Sequence, residues 1–185
     1  MFQLSDFLEN GANVILADWN EEQLNNLVIE LKSATEPGNG RLTSRKTNVA
    51  DWNDLVEVFE QGFNEFGAID AVISNAGVNW GETLLQHEVD PVTKKLKPPS
   101  LEALNINLVG HIYAVNCATY YFEKQQRRPT QIVITASAAA FIDTPPLYLY
   151  SAAKAGLLGM MRSLRNDLPR RGTTINLVAP WMTSK

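Results

Sequence analysis

Several things are scarce in this sequence of 185 residues, and each scarcity excludes a class of protein. Cysteine occurs once, at Cys117, so no intrachain disulfide can form and nothing points to secretion. Histidine occurs twice, at His87 and His111. Neither has a partner at ligand spacing, so no metal site is expected and both are assigned surface or helix-face roles. Positive charge is not in surplus. The formal net charge is −4 at pH 7, which gives no reason to expect a nucleic acid or another polyanion as partner. The one basic cluster, Lys94, Lys95 and Lys97, sits among prolines and reads as a solvated loop. Long apolar runs are missing as well: none approaches the ~20 residues that span a bilayer. The N-terminus carries Asp6 and Glu9 and no basic leader, so it is not read as a signal peptide. The expectation is a soluble cytoplasmic protein with no membrane partner, in a single domain over residues 1–185.

What the chain does have is alternation. Apolar, β-rich runs occur at 13–18, 42–49, 69–75, 131–137 and 174–180, most of them nearly continuous, as for strands buried on both faces. Between them lie helical patterns at 21–34 and 51–67, the latter with Asp51 placed to cap it and Gly67 to end it. A long helix is expected from Ser100 to about Gln125. Another is expected from about Leu149 to Leu168, closed by Pro169 and Gly172. Strand and helix in strict alternation predict a doubly wound, Rossmann-like α/β fold built on a parallel sheet. The segment 86–100 is a polar, proline-rich insertion between a strand and the long helix.

The chemistry concentrates in "YLYSAAKAG", residues 148–156. Tyr150 and Lys154 are four apart, hence on one face of a helix, with only Ser151, Ala152 and Ala153 between them. A free phenol, with a pKa near 10, is a poor base at neutral pH; a nearby cation favours its phenolate and makes it a usable general acid/base. Such a pair is weak evidence alone. Ser137 strengthens it, standing at the carboxyl end of the run 131–137, where parallel α/β sheets bind their ligands. "SNAG", residues 74–77, ends another strand with residues small enough for close backbone approach.

Together, Ser137, Tyr150-x-x-x-Lys154, "SNAG", the run "NINLVG" holding Asn107 and a strand ending in Asp18 resemble a short-chain dehydrogenase/reductase. "ADWN" and "NAGVNW" resemble the 15-hydroxyprostaglandin dehydrogenase type, and "TASAAAF", "RSLRNDLP" and "APWMT" its fungal secondary-metabolism relatives. The resemblance implies roles. Tyr150 would be the general acid/base, Lys154 its electrostatic support and a ligand of the nicotinamide ribose, and Ser137 the anchor of the substrate oxygen. Asn107 would place a water through its backbone carbonyl. Asp18 would bind the adenosine ribose and favour NAD over NADP, since a carboxylate accepts from a 2′-hydroxyl and repels a 2′-phosphate. Trp19, Asn48 and Val49 would surround the adenine, Asn75, Ala76 and Gly77 the ribose, and Pro180 and Thr183 the nicotinamide. A small alcohol or ketone would be the substrate, and a homodimer would form through the helices at 100–125 and 149–168.

The sequence also departs from that family. No Gly-rich phosphate fingerprint is present, and the chain is expected to begin inside the helix that would follow it, with Phe2, Leu4, Phe7 and Leu8 as its apolar stripe. The segment beyond "APW" that shapes the substrate pocket is short. The fold is therefore expected to be incomplete at both ends, its flanking strands either paired directly or left with unpaired backbone groups. On this basis the 185-residue chain is expected to bind dinucleotide poorly. A catalytically inactive scaffold or interaction module is the alternative to an enzyme.

Overall fold

A computed structural model describes residues 4–34, 40–80, 83–125 and 129–181, and in it the alternation is realised. The chain runs α1 (Leu4–Glu9), β1 (Val14–Asp18), α2 (Glu21–Ala34), β2 (Leu42–Lys46), α3 (Trp52–Phe66) and β3 (Ala71–Ser74). It continues with α4 (Glu102–Leu104), a π-helical turn (Asn105–Val109), α5 (Gly110–Gln125), β4 (Thr130–Thr135), α6 (Tyr148–Leu164) and β5 (Thr173–Val178). Short 3-10 turns occupy Ala138–Ala140 and Leu168–Arg171.

Local chemistry explains the boundaries. Asp51, in an extended conformation, accepts from the backbone N–H groups of Asn53 and Asp54 and so starts α3; Gly67, at φ 78°, takes the left-handed position that ends it. The strand expected over 42–49 stops at Lys46. Beyond it the Asn48 side chain accepts from the Ala50 N–H and the Asn48 carbonyl from Asp51, which turns the chain toward α3. Gly172, at φ 75°, closes the turn at Leu168–Arg171. The helix expected to reach Leu168 has already ended at Leu164.

All strand pairs are parallel, but they form two sheets: β1 with β2, and β3–β4–β5 with β4 in the middle. Among the described residues β1 and β3 do not pair, so of the two arrangements expected for these strands the unpaired one is found. Their free edges are not sealed in a core. Ala71 and Ile73 of β3 and Ala17 of β1 are exposed, so water can satisfy their backbone groups.

The main core forms on one face of the three-stranded sheet. Ile132, Ile134 and Ile175 meet Leu55, Val58 and Phe59 of α3, Ala118 and Phe122 of α5, and Leu157 of α6. Phe122, Leu157, Ile132 and Ile134 are essentially fully buried, each contributing about 1.5–3 kcal/mol of transfer free energy. The opposite face carries Ile73, Gln131, Thr174 and Asn176, all exposed, so these strands are not buried on both faces as their apolar runs suggested. Helix α3 bridges the two sheets: its Gly62 lies against Ile15 of β1, and its Gln61 donates to Thr43 of β2. At the N-terminus α1 is helical as expected, with Leu8 buried; Phe2 lies outside the described residues. The insertion has structure of its own. Val89 and Leu96 form an antiparallel bridge, and Asp90 accepts from Val92 and Thr93 in the turn between them.

Candidate active site

The carboxyl ends of β3, β4 and β5 open onto a cleft of about 370 Å³. Ser137, Tyr150, Lys154, Asn75, Gly77 and Pro180, all named from the sequence, line it. So do Asn79, Thr135 and Trp181, which the sequence reading did not name.

Lys154 is the cation the tyrosine calls for. It lies one turn after Tyr150 on α6, with its ammonium 5.6 Å from the Tyr150 ring centroid. It is 2% exposed, and its Nζ donates to the Thr135 carbonyl at 2.8 Å. Burial disfavours the charged form and pulls its pKa down to about 8, so it keeps its proton at neutral pH with little margin. Ser137 begins the 3-10 turn after β4. Its Oγ accepts from the Ala139 N–H at 3.2 Å, which leaves the hydroxyl proton to be donated. Thr135, two residues earlier, donates through Oγ1 to Asn75 Oδ1 at 2.8 Å and so ties the ends of β3 and β4 together.

Asn107 lies beneath the cleft, fully buried, inside the π-helical turn. Its side chain is committed: Oδ1 accepts from the Val78 N–H at 2.8 Å and Nδ2 donates to the Val78 carbonyl at 2.6 Å. The turn itself shows in the Gly110 N–H, which bonds back to the Asn105 carbonyl, five residues away. Gly77 explains why the strap above must carry a glycine. A Cβ there would stand 2.9 Å from Asn107 Oδ1 and 3.3 Å from Lys154 Nζ.

The second group of candidates lies elsewhere. Asp18 ends β1 and Trp19 follows it, while Asn48 and Val49 follow β2; none of the four lines the cleft. Asp18 Oδ1 accepts from the Asn20 N–H at 2.8 Å, and Trp19 is 70% exposed. Val49 packs against the start of α5, where a Cβ on Gly110 would stand 2.9 Å from its carbonyl oxygen. Ala76 directs its carbonyl at His111, and Thr183 lies outside the described residues.

His111 is the main correction. Of its expected surface or helix-face role only the second holds: it sits on the buried face of α5 at 1% exposure, with Nδ1 2.7 Å from Ser74 Oγ and Nε2 2.9 Å from the Ala76 carbonyl oxygen. Burial, and then the charge of Lys154, lower its pKa to about 4, so it is neutral at pH 7. No metal-holding group of His, Cys, Asp and Glu occurs among the described residues.

Fold and cleft define a class, a Rossmann-like α/β protein with serine, tyrosine and lysine gathered at the strand ends. The sequence model described as short chain dehydrogenase matches residues 4–184, and the chain belongs to this family of nicotinamide-dependent oxidoreductases. Among curated relatives, the short-chain dehydrogenase/reductase prx4 of Penicillium roqueforti is 33% identical over 177 residues, covering 96% of this chain and 49% of its own length. The 3-oxoacyl-acyl-carrier-protein reductase FabG of Thermotoga maritima is 30% identical over 175 residues, covering 94% of this chain and 65% of its own. This chain thus spans about half to two thirds of the length of these relatives. A Burkholderia phymatum short chain dehydrogenase/reductase, solved in complex with NAD, shares the fold at a TM-score of 0.79 and 22% identity, over 94% of this chain and 58% of that one.

Proposed function

We propose that the cleft interconverts a secondary alcohol and a ketone on a small molecule, with NAD as hydride carrier. One observation carries this reading. Buried Lys154, held by the Thr135 carbonyl, stands 5.6 Å from the Tyr150 ring in a cleft that Ser137 also lines. Ser137 donates its free proton to the substrate oxygen. Tyr150 gives its hydroxyl proton to that oxygen in reduction and takes it back in oxidation, while the Lys154 ammonium stabilises the phenolate between the two. Asn107, its side chain spent on Val78, contributes its main-chain carbonyl to a water that resupplies the proton. The nicotinamide, when bound, supplies the hydride to the carbonyl carbon or receives it from the alcohol.

The residues present fit the riboses of that cofactor. Gly77 is bare where a Cβ would fill the cradle above Lys154, leaving the ammonium reachable by a diol. Asp18 uses one oxygen on Asn20 and has a second for the adenosine ribose, which favours NAD over NADP. Trp19, Asn48 and Val49 would flank the adenine, Asn75 and Ala76 the ribose, and Pro180 and Thr183 the nicotinamide. The same reading places the protein in the cytoplasm, free of membrane and nucleic acid, as a homodimer through residues 100–125 and 149–168. Ile112 and Tyr120, both exposed on α5, support that face, and no described helix is long and apolar enough to cross a membrane.

A second reading, a non-catalytic scaffold of the same family, is favoured by the split between the β1–β2 and β3–β5 sheets. Titration of the purified chain with NADH and NADPH, followed by fluorescence, separates the two. The enzyme reading expects saturable NADH binding in the micromolar range, with NADPH weaker and the preference lost in Asp18→Ala. Absence of binding to either cofactor would favour the scaffold, and a wild-type preference for NADPH would remove Asp18 from its role.

A further inference from the structure

The strap of residues 74–78 carries Asn75, Gly77 and Val78 to the cleft, and it hangs from the helix beneath by four side-chain hydrogen bonds. Two come from Asn107 to Val78, and two involve His111, at Ser74 and Ala76. A carbonyl oxygen can only accept, so the Ala76 contact requires a proton on His111 Nε2. The ring is fully buried beside the Lys154 charge, which opposes a second cation, so Nδ1 is bare and accepts from the Ser74 hydroxyl. Both ring nitrogens and one tautomer are then accounted for.

We propose that His111 is a positioning residue of the crevice: neutral and protonated on Nε2, it clamps Ser74 and Ala76 so that Asn75 and Gly77 present themselves to the cofactor ribose. This rests on the dehydrogenase reading, but the clamp itself is a statement about the chain. The geometry makes it specific. Asn75 lies between the two clamped residues; without the clamp it would be held only by its Thr135 bond and by the pairing of Ser74 in β3, and Ala76 beyond it would lose its anchor. Gly77 lies between Ala76 and Val78, pinned by His111 and Asn107 respectively. An apolar side chain at 111 would fill the volume and orient neither neighbour. Glutamine can place an amide N–H near the Nε2 position and keep the Ala76 bond.

Three variants test this on the full chain. Nitrogen-15 NMR of the imidazoles reads the tautomer directly, with exposed His87 as the only other histidine signal. The expected result is a neutral Nε2–H ring for His111; a ring protonated on Nδ1 would overturn the clamp. Hydrogen exchange of the amides at 75–78 is expected to quicken at least about tenfold in His111→Leu, to be largely restored in His111→Gln, and to quicken less in Ser74→Ala. NADH affinity is expected to follow the same order. Unchanged exchange in His111→Leu, or equal losses in the leucine and glutamine variants, would overturn the proposal. If His111→Leu does not fold, Ser74→Ala, which leaves the ring in place, decides the exchange test. Should the wild-type chain bind no NADH, the dehydrogenase reading fails, while tautomer and exchange still judge the clamp.

Discussion

Tyr150→Phe removes one hydroxyl and almost no volume, which makes it the cleanest separation of chemistry from fold. Positioned acid/base groups contribute about 10²–10⁴ in rate, so turnover of secondary alcohols is expected to fall at least about 100-fold with the unfolding midpoint in urea unchanged. Turnover retained in the variant would move the proton to another residue. At this scale the sequence was legible where residues act through spacing. Tyr150, Lys154, Ser137, Asn75 and Gly77 were named from motifs and they share one cleft. It was less legible where a residue acts through partners distant in sequence. Thr135 reaches Asn75 across 60 positions, and His111 reaches Ser74 across 37. No local pattern announces either contact.

Helices α4 and α5 with the π-helical turn between them show what an element adds. A single long helix was expected over this stretch, and a periodicity argument cannot see the extra residue that a π-turn inserts. That insertion brings Asn107 and His111 under the 74–78 strap. Because both polar atoms of Asn107 are buried and paired, Asn107→Ala leaves the Val78 N–H and carbonyl without their partners. Each orphaned group costs about 1–3 kcal/mol where water is excluded, and Val78 is half-buried at the cleft, so destabilisation of about 1–2 kcal/mol is expected in urea unfolding. Asp51→Ala, which removes only the cap of α3, is expected to cost about 1 kcal/mol. A smaller loss for Asn107→Ala than for Asp51→Ala would mean that water already serves Val78.

Across the whole molecule, two buried bases tie stability to pH. The His111 pKa falls from 6.5 to about 4 on folding, so between these values the unfolded chain binds the extra proton and stability rises with pH. That shift corresponds to roughly 3 kcal/mol, fully present above pH 6.5 and lost as pH falls through about 4. Lys154, lowered from 10.5 to about 8, adds a second rise between about pH 8 and 10.5. Urea unfolding from pH 5 to pH 7 is expected to show the first slope in the wild type and its loss in His111→Gln. An equal slope in both would assign it elsewhere. From sequence alone came the alternation of strand and helix, the parallel pairing and the cleft residues that sit in motifs, such as Ser137, Tyr150 and Lys154, because periodicity, caps and short motifs are local properties of the chain. Only the tertiary structure decided that β1 and β3 stand apart, that one face of the β3–β5 sheet stays open, and that His111 is buried. Each of these depends on which surfaces meet, and contacts between residues distant in the chain leave no local pattern in it.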